Sequence, residues 1–379
     1  MTSGARAAGR RWSGRRVAAL VLLLAAPAAG RASDLDDPLP IRSQLPFHLL
    51  FLDQTPAAAS ILPRGAARIE VSAAYESTLA ATGDLIRVLR ADTTGMYGGR
   101  VSQDLLEMVA AGTPGQTAFV LDGETLRALV RAAWGAATGL ELGVEVPLLR
   151  HGAGVMDSAI DWYHARFNFP DGGRPAFRRD LYQAGYVGDG ESFLLTRGSS
   201  GIGDVVLSAK GSLLKDRRSE PWLSGSIAVK LPTGDPDRLL GSGSADVGAR
   251  LHLSRRFGRT RLHGGYGWTA PGTWDLAPGL PIRNTRSAFA AVLFSPRPRT
   301  ALALQILRSS GPLPYRPGTD LGRATMEIAA GIRHRRPGGL LIEAAFLENL
   351  NRDYNAPDVG FYFGIVLPDP FRSGTGSAP

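Results

Sequence analysis

The chain of 379 residues contains no cysteine. That absence excludes a disulfide framework, a thiolate metal centre and a cysteine nucleophile. It also contains no uninterrupted apolar run of about 20 residues, the length a helix needs to span a bilayer. Charged residues are sparse at 20%, yet 44% of the chain is hydrophobic, too apolar a composition for disorder. Acidic residues are missing from the first 32 positions, which hold Arg6, Arg10, Arg11, Arg15, Arg16 and Arg31. Without those six arginines the formal charge falls from +9 to +3, so the basic balance is local and nucleic acid is not an expected partner.

Residues 1–32 read as a signal peptide. A basic stretch precedes the apolar run VAALVLLLAAPAA at 17–29, and small residues offer cleavage sites among Ala28 to Ala32. The Arg15-Arg16 pair fits a twin-arginine consensus poorly, so ordinary export is expected.

Beyond residue 33 the recurring signal is a period of two. Leu140-Glu141-Leu142-Gly143-Val144-Glu145-Val146 alternates large apolar with small or acidic residues, and 247–254 alternates apolar with small, basic and polar ones. Such alternation marks strands with two unlike faces. Twelve candidates follow: 66–80, 124–136, 139–147, 203–214, 221–231, 245–256, 259–269, 284–295, 299–309, 322–335, 339–347 and 358–367. The gaps between them alternate long and short, the longest being 81–123 and 148–202. An all-β fold is expected: a transmembrane antiparallel up-and-down β-barrel of about 12 strands, with short periplasmic turns and long extracellular loops. Trp134, Trp222 and Phe257 are expected in an aromatic girdle at the short-turn rim, with Tyr75 and Trp268 at the other. The domain reading is signal peptide 1–32, periplasmic segment 33–65, barrel 66–367 and tail 368–379, in the outer membrane of a Gram-negative bacterium.

Four stretches carry a family resemblance: Lys230-Leu231-Pro232-Thr233-Gly234-Asp235, the run 239–248, Pro46-Phe47-His48-Leu49-Leu50-Phe51-Leu52-Asp53, and 139–147. Together with 154–166 and 170–174 they resemble the bacterial family catalogued as domain of unknown function 3187, over about residues 40 to 367. The resemblance implies an outer-membrane barrel and brings no activity or catalytic residue. Against that resemblance, loop 81–123 reads as an expansion, and the aromatics of the last strand, Phe361 and Phe363, lie well before the end of the chain.

If the apolar set faces lipid, the other set lines a lumen. Its candidates are Glu70 on the first strand, Arg127 and Arg131 on the second, Glu141 and Glu145 on the third, and Lys210, Lys230 and Asp246 further on. Arg250, His252, His263, Glu327, Arg333 and Glu343 complete it. Both signs occur in similar numbers, which suits either a polar conduit or a salt-bridge network filling a narrow barrel. A two-residue turn at Phe257-Gly258 would place His252 opposite His263, but a third ligand is not evident and arginines surround the hairpin. No metal or other cofactor is expected.

Gly-flanked Ser199, Ser200, Ser242 and Ser244 lack the strand–elbow–helix setting of a serine nucleophile, so no catalytic residue is assigned. The apolar segment around Pro46, Phe47, Leu49, Leu50, Phe51 and Leu52 does not alternate. It is expected to pack into the barrel mouth as a plug, the alternative being contact with a periplasmic partner. Val155, Ala159, Ile160, Tyr163 and Phe167 suit one face of a short helix that caps the outer mouth or packs the loop against the rim. The expected function is a restricted or gated channel for small solutes, partnered by outer-membrane lipid and the barrel assembly machinery. A non-conducting barrel with a binding or structural role is the alternative, and a barrel lipid hydrolase a third.

Overall fold

A computed structural model describes residues 35–214, 222–317, 319–350 and 356–369. The expected signal peptide lies outside the described residues, as does the tail beyond residue 369.

The strands are β1 (Ala67–Ala81), β2 (Ala118–Ala137), β3 (Leu140–Gly152), β4 (Gln183–Gly188), β5 (Glu191–Leu195), β6 (Ser199–Ile202), β7 (Val205–Ser212) and β8 (Trp222–Leu231). They continue as β9 (Asp246–Phe257), β10 (Thr260–Ala270), β11 (Thr285–Arg297), β12 (Thr300–Ser309), β13 (Thr325–Arg335), β14 (Leu341–Asn349) and β15 (Val359–Val366). Four helices are described: α1 (Pro46–Leu49), α2 (Gly83–Arg90), α3 (Gln103–Gly112) and α4 (Asp157–Phe167).

Each wall strand pairs antiparallel with its neighbours, and β1 pairs with β15 from Glu70↔Val366 to Ser77↔Val359, closing the sheet. The short β6 and β7 both pair with β3 and together form one wall strand in two pieces. The result is a closed barrel of twelve strands. Closure leaves no wall edge unpaired, which is why strands can cross a membrane at all. The alternation sorts the side chains by face. On β9, Val247 and Leu251 are 53% and 52% exposed, whereas Asp246 and Arg250 are 0% and 4% exposed. Leu251 pairs with Tyr266 and Ala249 with Trp268, so the apolar set is continuous from strand to strand on the outside.

Four features depart from expectation. β2 starts at Ala118, not at 124, and its extra length pairs with β4, which carries β5 beside it above the wall. Loop 81–123 holds α2 and α3, whose Leu85, Ile86, Leu89, Leu105, Leu106 and Val109 pack with Leu79, Val120 and Phe177. Ser102 caps α3 by accepting from the Leu105 N–H at 3.2 Å. Loop 148–202 does form a helix, α4, but only its Ile160 is buried. Val155 and Phe167 are exposed, because Glu124, on the outer wall face, accepts the Val155 and Met156 N–H groups and ties the helix start there. Trp222 shares the inward face with Ser224 and stacks beneath the Arg261 guanidinium at 5.0 Å, so it is not a girdle residue.

Candidate functional site: the lumen and its inner hairpin

The lumen holds the chain's own residues 35–65. They enter at the short-turn rim, climb to α1 near the long loops, turn, and descend to join β1. Two contacts place the entry: the His263 ring meets the Asp36 carbonyl at 2.6 Å, and Asp36 pairs with Arg256. Higher up, Gln305 donates to the Leu39 carbonyl at 3.0 Å. Gly65 N–H donates to the Gly135 carbonyl at 2.8 Å, back beside the β2–β3 turn.

The tip is apolar. Leu45, Phe47, Leu50 and Phe51 pack with Phe119, Tyr182, Tyr186, Leu239, Trp274 and Leu280 from β2, β4 and the long loops. Phe47 lies 5.2 Å from the Trp274 ring and 6.2 Å from that of Phe193. Pro46 starts α1, where its missing N–H costs nothing. Leu49 joins Leu149 and Leu240 in a small cluster. Beneath the tip, Arg42 donates to the carbonyls of His48 (2.7 Å) and Phe51 (3.0 Å), tying the rising limb to the descending one. His48 is buried beside Arg42, and burial followed by that guanidinium holds its pKa down at about 4.

The descending limb is bound by polar wall residues in succession. Lys230 donates to the Leu50 carbonyl at 2.6 Å, to Asp204 at 2.7 Å and to Ser242 at 2.5 Å, and Asp246 accepts the Leu52 N–H at 2.7 Å. Asp53 pairs with Arg250 at 2.9 Å and accepts from Ser309 at 3.0 Å. Burial opposes the Asp53 charge, but Arg250 and Arg42 outweigh it and bring its pKa below the usual carboxylate value. Ser226 donates to Gln54 at 2.6 Å. Thr55 bridges Glu145 (3.2 Å) and Arg131. Ala59 N–H donates to Ser254 at 2.9 Å and Leu62 N–H to Glu141 at 3.0 Å.

All fourteen lumen candidates sit on the inward face. Glu70, Arg131 and Glu145 form a chain of ion pairs at 3.5 and 3.0 Å, with Arg127 3.9 Å from Glu145. Lys210 meets Glu141 at 3.0 Å, and Arg333 pairs with Glu343 while donating to the Asp37 carbonyl. Glu327 faces Ser43 on the hairpin. The histidine pairing requires correction. Gly258 takes φ +58° and the turn closes on Phe257↔Thr260, so His252 lies opposite Gly265 and His263 opposite Ser254. The apolar alternation cannot distinguish these registers, which differ by two residues and keep the same face. His252 instead meets Ser226 at 3.0 Å and His263 meets Ser254 at 2.8 Å. Ser242 takes a hydrogen bond from Lys230, whose three N–H groups are all engaged.

Sequence reasoning missed the partners on the hairpin side: Asp36, Asp37, Arg42 and Asp53. Four charged residues flanking an apolar, non-alternating run were the available signal.

With the hairpin in place, small cavities remain beside it. One of about 100 Å³ is lined by Arg42, Asp53, Arg127, Glu145, Lys230 and His252. Another of about 270 Å³, nearer the short-turn rim, is lined by Asp37, Arg68, Glu141, Lys210 and Asp369. Both fall short of the roughly 300–1,000 Å³ typical of a small-molecule site.

The model of a family described as protein of unknown function, DUF3187, matches residues 112–367, about two thirds of the chain. The chain belongs to the DUF3187 family. No curated protein matches it. Among solved structures, this DUF3187 member is similar to the COG4313 outer membrane channel from Pseudomonas putida F1, with a TM-score of 0.52 and 14% identity. That alignment covers 83% of this chain and 99% of the other, and at this identity it shows a common fold. The P. putida toluene transporter TodX aligns at TM-score 0.39 and 12% identity, covering 83% of this chain and 92% of its own. LpxR from Salmonella typhimurium aligns at 0.34 and 8%, covering 79% and 99%.

Proposed function

We propose that the protein is an outer-membrane channel for small solutes, held closed by residues 35–65. The observation that carries this reading is the kind of contact between hairpin and wall. Below the tip, the descending limb meets the wall chiefly through hydrogen bonds and ion pairs to groups that water can equally well satisfy. Withdrawing the hairpin leaves a lumen with charged residues of both signs on one side and inward apolar residues such as Ala291, Leu293, Ala303 and Leu347 on the other. The wall ladder closes through β1 and β15 without any hydrogen bond from the hairpin. The cavities beside the seated hairpin measure about 100 and 270 Å³, which supports a closed state while it is in place. The fold shared with an outer membrane channel supports the class and singles out no solute.

A second reading, a non-conducting barrel, draws on the apolar roof over the tip, where Phe47 and Trp274 are fully buried. Single-channel current in planar bilayers separates the two. The protein lacking residues 1–32 is compared with one also lacking 35–65. Channel function predicts a closed or rarely open intact protein and steady conductance from the truncated one. Silence from both, with the truncated barrel folded, overturns the channel reading.

A further inference from the structure

The short-turn rim is charged unevenly. Three of its turns join β9 to β10, β11 to β12 and β13 to β14, strands that are consecutive in the sheet. Their sequences, 254–261 (SRRFGRTR), 294–300 (FSPRPRT) and 333–341 (RHRRPGGLL), contain nine arginines and no acidic residue. The β2–β3 turn across the rim is Thr138-Gly139, without charge. Arg255, Arg259, Arg297, Arg299 and Arg336 are exposed. Backbone bonds knit the three turns into one arc: Ser295 N–H donates to Arg259 at 2.9 Å, and Arg335 N–H to Arg299 at 2.8 Å.

The arc continues the lipid-facing surface. Along the outward face of β9, Val247, Ala249, Leu251 and Leu253 lead to Arg255 and Phe257. The Arg255 guanidinium lies 4.9 Å from the centre of the exposed Phe257 ring, and Phe294 is exposed on the outward face of β11. Apolar band, aromatic ring and then guanidinium is the order in which a bilayer presents acyl chain, interface and headgroup. Guanidinium is a planar, permanently charged donor fork suited to phosphate oxygens. Membrane-surface arginines strengthen attraction to anionic lipid by about fivefold each at modest ionic strength.

We propose that this arc is a docking surface for anionic phospholipid headgroups of the periplasmic leaflet, engaged through Arg255, Arg259, Arg297, Arg299 and Arg336. The assignment follows from the short turns facing the periplasm and is independent of whether the lumen conducts. It anchors one side of the barrel more firmly than the other. An acidic polypeptide is disfavoured, because the arginines adjoin the lipid-facing rows instead of projecting from an extended loop.

Delipidated full-chain protein lacking residues 1–32 is titrated with phosphatidylglycerol or phosphatidylcholine, and bound lipid is counted by native mass spectrometry. Phosphatidylglycerol is expected to bind at least tenfold more tightly, with the preference shrinking at high salt. Replacing the five arginines with glutamine abolishes the preference, while replacing them with lysine keeps most of it. The shift between unheated and boiled samples on a gel reports that each variant is folded. Should the fivefold variant misfold, R255Q/R259Q alone is expected to lower the preference about tenfold or more. An unchanged preference in the glutamine variants overturns the proposal, as does equal binding of the two lipids. Displacement of phosphatidylglycerol by polyglutamate at matched charge would assign the arc to acidic protein instead, which also overturns it.

Discussion

The wall and the inner hairpin are one chain held by two kinds of bond. The wall is a ladder of backbone hydrogen bonds closed on itself, with apolar side chains outward. The hairpin forms no strand with it. Its descending limb hangs from side chains such as Lys230, Asp246, Arg250 and Ser254, and its tip rests in an apolar roof. A ladder is cooperative and satisfies its own backbone whatever fills the lumen. A limb held by separate polar contacts can exchange them for water one by one, since each is worth only about 0.5–3 kcal/mol net. The difference makes the descending limb the part that can move while the wall stays intact.

The strongest way to break this comparison is to delete residues 35–65. The wall is expected to remain a heat-modifiable barrel, and its lumen to conduct. Next in size is Lys230→Met. Lys230 is 2% exposed and meets Asp204 and Asp246, so its loss strands two buried carboxylates at the wall. Removing one partner of such a group costs about 3–5 kcal/mol, measurable as a lower unfolding midpoint in denaturant. Phe47→Ala sharpens the contrast, because it empties the tip's place against Trp274 and Phe193. The truncation costs about 3–5 kcal/mol locally. It is expected to raise open probability in bilayer recordings while leaving the wall's unfolding midpoint unchanged.

The smallest effect is one of pH. Seated in the lumen, His48 has its pKa lowered from 6.5 to about 4. Released into water it regains the ordinary value, so the released state binds more protons between those limits. The seated state is therefore stabilised as pH rises through that window and weakened as pH falls through it. Asp53, whose pKa is lowered when seated, loses its contribution only below the ordinary carboxylate value of 3.8. The His48 contribution is a rise in open probability from pH 6.5 to pH 4, and the difference between the unsubstituted and H48N profiles over that window is expected to isolate it.

The wall was legible in the sequence because a period of two, repeated through alternating short and long connections, has few other physical meanings. Residues such as Glu141, Arg250 and Glu343 announced their face by that period alone. Register was less legible: His252 and His263 share a face in either alignment, and the shift of the turn to Gly258-Arg259 decides between them. The helices α2 and α3 went unread although Leu85, Ile86 and Leu89, then Leu105, Leu106 and Val109, carry helical spacing after a capping Ser102. The hairpin's polar partners were hidden for a different reason. Asp53 and Arg250 are 197 positions apart, and no local pattern couples them.

Hydrogen exchange of the protein lacking residues 1–32, reconstituted in lipid and read by mass spectrometry, tests the separation of hairpin from wall most directly. Peptides covering 50–62 are expected to exchange together, well before those of β8 to β14. Exchange of both only at the rate of global unfolding would contradict the account, because hairpin and wall would then be one cooperative unit.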